Sequence, residues 1–357
     1  INILAELIGE DMMAQYVSKN TAPREVYKQK LRGYKMVKEI ENLFTGSGGF
    51  YNVEEGSIPA LIADEAHRLN EETGFLGEGE NQIMEIIKAS KFSVFFIDES
   101  QRVHINDIGS KEEIRKHASN MDAEIIEMKL ESQFRCKGTE GYIAWLDDVL
   151  EIRETANKTE IGKDYDLKVF DSPEELHGAI EEKNKETRLS RVVAGYCWEW
   201  DKDGRKDPDY HDIERGDYKK SLNLRDNSKD PWAIDQEESQ NRKGSIDEVG
   251  CIHTCQGLEF DYVGVIIGPD LKYRNGQVVV DHEERASTDR SLFGIKKMFD
   301  ENPEKASKIA EEVIKNTYRT LMSRGMKGCY IYCVDDQLQG YIKNRVDAIE
   351  NDKKVKH

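Results

Sequence analysis

Ala60-Leu61-Ile62-Ala63-Asp64-Glu65-Ala66-His67 is a short apolar run that ends in two adjacent carboxylates. Four consecutive apolar residues without alternation suit a strand covered on both faces by helices. In open α/β sheets, ligands bind beyond the carboxyl ends of the strands, where Asp64 and Glu65 fall. Hydrolysis of ATP needs one carboxylate to hold Mg2+ and another to polarise the attacking water. Adjacent residues at a strand end can divide those roles, Asp64 taking the metal and Glu65 the water. An isolated Asp-Glu pair is usually a solvated turn. The four-residue string Asp-Glu-Ala-His carries the functional reading.

Working outward, similar runs recur. Ala14–Val17, Ser93–Ile97 and Ile125–Met128 read as further strands, with helical spacing between them, as at Ile83, Ile86 and Ile87. Alternating strands and helices specify an α/β fold with a doubly wound parallel sheet. Residues 150–166 lapse into polar sequence, so a boundary is expected there, with one domain over 1–155 and a second over 156–357. The second set of strands comprises Leu167–Phe170, Val192–Tyr196, Val263–Ile267 and Cys329–Tyr332. Two polar insertions, near 199–247 and 269–296, interrupt this second domain. Arg274-Asn275-Gly276-Gln277 reads as a hairpin turn within the latter. Ile309, Val313, Ile314, Leu321 and Met322 trace one helical face.

Composition narrows the function. The chain has 357 residues, 38% hydrophobic and 34% charged, with a formal net charge of -18. That charge argues against coating of duplex DNA by bulk electrostatics, but leaves room for a local basic track. No apolar run reaches the ~18 residues of a membrane span, and no signal-peptide pattern stands at Ile1. A cytoplasmic protein is expected. Six cysteines are present, including the pairs Cys251/Cys255 and Cys329/Cys333. The second pair lies on a candidate strand, where four residues separate side chains by roughly 13 Å, too far to share one zinc ion. Reduced cysteines are expected.

Several other segments bear on chemistry. Val94–Gln101 repeats the strand-then-polar design, and Gln101 can sense a γ-phosphate by hydrogen bonding. Leu130–Arg135 sets Arg135 after an apolar stretch. Arg324, in Ser323-Arg324-Gly325, can stabilise transition-state charge as an arginine finger does, although most arginines serve only in surface ion pairs. His253-Thr254-Cys255-Gln256-Gly257-Leu258-Glu259-Phe260 offers hydroxyl, amide and carboxylate groups in a glycine-containing turn before a strand. Val17–Arg24 presents small hydrogen-bonding residues suited to a nucleic-acid backbone. A basic run with aromatics follows it: Arg24, Tyr27, Lys28, Lys30, Arg32, Tyr34, Lys35 and Lys38. It reads equally as a strand-binding track with stacking residues or as a helix with a solvated basic face.

Together, in this order, these segments resemble the superfamily 1 helicases, and most of all the bacterial family catalogued as domain of unknown function 2075, related to Schlafen-type ATPase domains. The resemblance implies two RecA-like domains of P-loop NTPase fold, ATP and Mg2+ as cofactors, and single-stranded DNA or RNA as partner. It places Asp64 and Glu65 in the Walker B position, Asp98 and Gln101 in motif III, Arg135 in motif IV and Arg324 in motif VI. It implies nucleotide contacts from Asp98, Gln256, Gly257 and Glu259. Nucleic-acid contacts would come from Ser18, Lys19, Asn20, Thr21, Arg24, His253 and Thr254. Cys251 stands where motif V often begins with Thr, and Gln256 where one branch has Lys. The phosphate-cradling string G-x-x-x-x-G-K-[ST] does not occur. The chain opens directly on the apolar helical pattern Ile1–Leu7, so a fragment is expected, lacking the first strand and phosphate loop and inactive by itself. The alternative is a non-catalytic nucleic-acid or protein-binding module that keeps the fold.

Overall fold

The computed structural model describes residues 1–73, 79–129, 140–223 except 157, 163, 202, 205, 206 and 208, and 245–355. The chain forms two compact units, Ile1–Lys129 and Leu130–His357. This division falls ahead of the expected boundary at 155. The helix Glu140–Val149 belongs with the second unit, where the Tyr142 hydroxyl donates to the Met322 carbonyl at 3.1 Å and Arg319 pairs with Asp147.

The first unit contains α1 (Asn2–Gly9), β1 (Ala14–Val17), α2 (Thr21–Leu31), α3 (Val37–Leu43), β2 (Phe44–Thr45) and β3 (Ile58–Ala63). It continues with the short pair β4 (Glu71–Thr73) and β5 (Gly79–Asn81), then α4 (Gln82–Ala89), β6 (Ser90–Phe95) and α5 (Lys111–Asn120). The main sheet is wholly parallel, in the order β2-β1-β3-β6. Along β3, Ala60 and Ile62 join Tyr16, Ile40 and Phe44 on one face, and Leu61 and Ala63 join Ile83 and Ile86 on the other. Both faces are buried, which is why the run lacks alternation. Asn81 fixes the start of α4 by accepting from the amides of Ile83 and Met84. The expected strand Ile125–Met128 does not form. Ile126 and Met128 are exposed there, and no described strand pairs with the segment.

In the second unit α6 (Glu140–Val149) precedes β7 (Asp166–Val169), α7 (Pro173–Thr187), β8 (Ser190–Ala194) and the hairpin β9 (Ile213–Arg215) and β10 (Tyr218–Lys220). Then come β11 (Val249–Gly250), α8 (Ile252–Cys255), β12 (Phe260–Ile267) and the hairpin β13 (Leu271–Arg274) and β14 (Gln277–Val280). α9 (Ile295–Glu301), α10 (Pro303–Met322), β15 (Gly325–Cys333) and α11 (Asp336–Val355) complete it. The sheet is parallel throughout, in the order β11-β8-β12-β15-β7. Asn275 and Gly276 both take positive φ, the turn that matches the twist of a two-residue hairpin. α10 buries Val313, Ile314, Leu321 and Met322 of the expected face but leaves Ile309 partly exposed, and from Val313 to Met322 it is buried on every side. No helix among the described residues is long and apolar enough to cross a membrane.

Candidate active site and nucleic-acid interface

The turn after β3 is built tightly. The Asp64 amide still donates to the Val17 carbonyl at 2.9 Å, so the carboxyl leaves the sheet at its edge. Asp64 Oδ2 accepts from the Tyr16 hydroxyl at 2.7 Å, and Oδ1 accepts from the Glu65 amide at 3.0 Å. Burial raises the Asp64 carboxyl above its ordinary range, and neighbouring Glu65 adds to the effect, while the Tyr16 hydroxyl opposes it. Burial, with the Asp64 charge, pushes the Tyr16 phenol upward, so it remains a donor. Glu65 adopts left-handed backbone (φ 54, ψ 43), a conformation that costs a residue with a side chain about 1–2 kcal/mol. The twist turns the chain back so that the Ala66 amide reaches the Phe96 carbonyl at 2.8 Å.

His67 then joins two strand ends. Its Nδ1 accepts from the Asp98 amide at 3.5 Å, and its Nε2 lies 3.1 Å from Glu65 Oε2. Accepting at Nδ1 assigns the proton to Nε2, facing the Glu65 carboxylate. Beyond β6, Asp98 Oδ2 accepts from Gln101 Nε2 at 2.8 Å, and Oδ1 accepts from the Ser100 amide at 3.1 Å. Asp64, Glu65, His67, Asp98 and Gln101 thus form one cluster. Gly109 closes it from outside: a Cβ there would collide with the Ala66 carbonyl and the His67 backbone.

The loop after β1 departs from expectation. Ser18 is fully buried, and its hydroxyl accepts from the Asn20 amide at 3.3 Å. Lys19 donates to Asn70 Oδ1 at 2.6 Å and lies 3.7 Å from Asp107, which also pairs with Arg68. Burial pulls the Lys19 ammonium down to about 8, against the raising effect of Asp107. Arg24 folds back onto the Asn20 carbonyl at 3.2 Å and the Thr21 hydroxyl at 3.3 Å. Lys19 and Arg24 are therefore held by their own chain instead of standing free for a nucleic-acid backbone. Asn20 and Thr21 remain partly or fully exposed.

In the second unit the turn between α8 and β12 needs Gly257 at φ 82, where a side chain would be strained. Thr254 faces inward: its hydroxyl donates to Asn223 Oδ1 at 2.9 Å and accepts from the Cys251 amide at 3.0 Å. His253 stands exposed, with Nε2 3.3 Å from Asp289 Oδ1. Asp289 also accepts from Ser291 and pairs with Arg285, whose guanidinium reaches Asp270 at 3.0 Å. The Arg285 charge, with help from His253 and Ser291, holds the Asp289 carboxyl well below the usual range despite burial. Gln256 is buried and Glu259 exposed. Arg324 corrects an expectation. It is fully buried, and its guanidinium donates to the Thr320 carbonyl at 3.0 Å and the Leu258 carbonyl at 3.3 Å. It acts as an internal strut, not as a finger projecting toward phosphate. Arg135 lies outside the described residues. Cys251, Cys255, Cys329 and Cys333 are buried thiols, the last two on β15.

Residue patterns alone missed Tyr16, Asn223 and Asp289. Tyr16 looks like any core aromatic. Asn223 and Asp289 sit in the insertions, with no motif to mark them. His67 was visible in the Asp-Glu-Ala-His string, but its second partner is a backbone amide that no sequence shows.

Two wholly parallel sheets, with carboxylates gathered beyond the strand ends of the first, define a RecA-like, P-loop NTPase-like protein of the helicase kind. The chain belongs to the family described as Schlafen group 3, DNA/RNA helicase domain, whose model matches residues 1–335. It is 26% identical over 318 residues to "Uncharacterized protein YPL245W" of Saccharomyces cerevisiae, covering 81% of this chain and 65% of that relative's length. Among solved structures, arterivirus nonstructural protein 10 (helicase) is similar at TM-score 0.36 and 11% identity, over 95% of this chain and 58% of that one. Dbp5 of S. cerevisiae bound to RNA and ADP BeF3 is similar at TM-score 0.27 and 13% identity, over 96% and 76%. At those scores neither adds to what the strand order itself shows.

Proposed function

We propose that the intact protein is an ATP-dependent motor acting on single-stranded DNA or RNA, of superfamily 1 type and akin to the bacterial family of domain of unknown function 2075. One juxtaposition supports this most: Asp64 and Glu65 at the end of β3 meet Asp98 and Gln101 at the end of β6, drawn together through His67.

The donor set suits Mg2+, a hard cation that takes few carboxylates and keeps its waters. Asp64 is a half-buried carboxyl at a strand end, oriented by Tyr16 and the Glu65 amide, with acceptor capacity left over. Mg2+ held there would neutralise phosphate charge. The sequence contains no G-x-x-x-x-G-K-[ST] string, so the residues that would cradle the triphosphate are not supplied by this motif. Within the chain, Asp64 would hold the metal and Glu65 would orient the attacking water. His67 keeps the Glu65 carboxylate in place, and Gln101 responds to the γ-phosphate. By the resemblance, Asp98 in the first unit and Gln256, Gly257 and Glu259 in the second would serve the nucleotide, as would Arg135, which lies outside the described residues. Ser18, Asn20, Thr21, His253 and Thr254 shape the strand-binding loops, with Lys19, Arg24 and Arg324 bracing them.

The missing phosphate string favours a second reading, a non-catalytic binding module. ATP turnover by the full-length gene product, with and without single-stranded DNA or RNA, separates the two. Turnover stimulated by either polymer supports the motor. A folded protein that turns over no ATP with any polymer leaves the module.

A further inference from the structure

The basic run after β1 splits in two once folded. Its first half is absorbed by the fold. Tyr27 stacks on Phe44 and packs edge-on to Tyr16, and Lys28 pairs with Glu25. The second half is wholly exposed from Arg32 to Glu39. Tyr34 is 86% exposed, Met36 69% and Val37 67%. Lys30, Arg32, Lys35 and Lys38 surround them, with no acidic residue between 30 and 38, in a chain of net charge -18. Among the described residues none of these four cations pairs with a carboxylate. Of the nearby acids, Glu39 accepts from the Met36 amide, Glu25 is taken by Lys28, and Glu41 is exposed.

The loop is also ordered by its own backbone. Gly33 takes φ 88, the Tyr34 amide donates to the Leu31 carbonyl at 3.0 Å, and Arg32 bridges to Lys35. A turn closed in this way presents the Tyr34 ring to solvent at little further entropic cost on binding. It lies at the far end of α2 from Asn20 and Thr21, about 16 Å away for eleven residues at 1.5 Å rise.

We propose that Arg32–Lys38 is a second single-stranded nucleic-acid contact, in which Tyr34 stacks on a base and Arg32, Lys35 and Lys38 meet phosphates. An exposed ring among unpaired cations on an acidic protein is the pairing that base stacking and backbone charge require. The proposal extends the motor reading to a place outside its motif loops.

Binding of a short fluorescein-labelled single strand, as RNA and as DNA, tests it on the full chain. Tyr34→Ala is expected to weaken binding about 5- to 150-fold, the effect of losing one stacked base, and Tyr34→Trp to restore it. Neutralising Arg32, Lys35 and Lys38 together should reduce the salt slope by about 2. If Tyr34→Ala and the triple variant bind as wild type while His253→Ala weakens binding, this contact is wrong and the motor reading stands. If the wild-type chain binds neither strand, both fail. If Tyr34→Ala instead abolishes only capture of an acidic protein partner, the patch is a protein-docking surface and the proposal is overturned.

Discussion

The two parallel sheets position their functional turns by different means. In the first unit the turn after β3 is fixed by the sheet itself. Tyr16 of the neighbouring strand holds Asp64, and the amide beyond the other neighbour holds His67. In the second unit the turn before β12 draws on the insertions as well, through Asn223 on one side and Asp289 on the other, beside the Arg324 guanidinium on the Leu258 carbonyl. A turn held by adjacent strands is as stable as the sheet. The insertion contacts of the second turn can be loosened without touching the sheet, which leaves Arg324 to hold the Leu258 end.

The largest effect that would sharpen this contrast is chemical. Glu65→Gln is expected to lower ATP turnover of the full-length protein about 10²- to 10⁴-fold, the usual contribution of a positioned base, with the melting temperature held. Unchanged turnover would remove Glu65 from the chemistry. Next comes Asp289→Ala, which leaves Arg285 buried without one of its two carboxylates. A loss of about 3–5 kcal/mol is expected, confined to the second unit. All four tryptophans lie there, at 145, 198, 200 and 232, so their fluorescence should report the unfolding of that unit alone. Loss of the first unit in the same step would break the comparison.

Acid should act on one buried group of each unit in opposite senses. His177 is buried with its Nδ1 on the Tyr218 hydroxyl and its Nε2 on the Ile246 carbonyl, and burial lowers it to about 4. Between pH 6.5 and 4 the unfolded chain binds a proton that the folded one refuses. The second unit therefore loses stability as pH falls through that window, by up to about 3 kcal/mol. Asp64, raised by burial, binds its proton more readily folded than unfolded, so this carboxyl contributes in the opposite sense as pH falls below its raised value, against Glu113 and Glu127, which are held down by their cations. Denaturant melts at neutral and acid pH, read by tryptophan fluorescence, should show the second unit losing stability through the His177 window. His177→Gln should flatten the fluorescence trend; if it does not, the histidine is not its source. The smallest effect is Gly109→Ala, expected to cost about 1–3 kcal/mol by overpacking against Ala66. Amide exchange should show the damage at Asp64–His67 and leave the turn before β12 as it was.

Much of the fold was legible because buried parallel strands leave unbroken apolar runs. Ala14–Val17 and the hairpin at Asn275-Gly276 could be placed to the residue. Ile125–Met128 was misread because an apolar run names a strand only if a neighbour pairs with it. The boundary was misplaced because polar composition marks a surface loop as readily as a linker, and Tyr142 and Asp147 show their allegiance only through distant partners. The cluster at Asp64 and Glu65 was readable from adjacency. The bracing of Lys19 by Asn70 and Asp107, and of Arg324 by two carbonyls, was not, because a basic side chain looks the same in sequence whether it faces solvent or its own backbone.

The left-handed backbone at Glu65 has a consequence for how this position can vary. Glycine is the residue that relaxes there most cheaply, and it would also remove a carboxylate from beside His67. Glu65→Gly should therefore make the protein more stable and, if Glu65 has the role proposed, less active. In a library of every substitution at position 65, glycine should stand above the other replacements in abundance and with them below glutamate in turnover. Selection for stability alone would then steadily erase the glutamate.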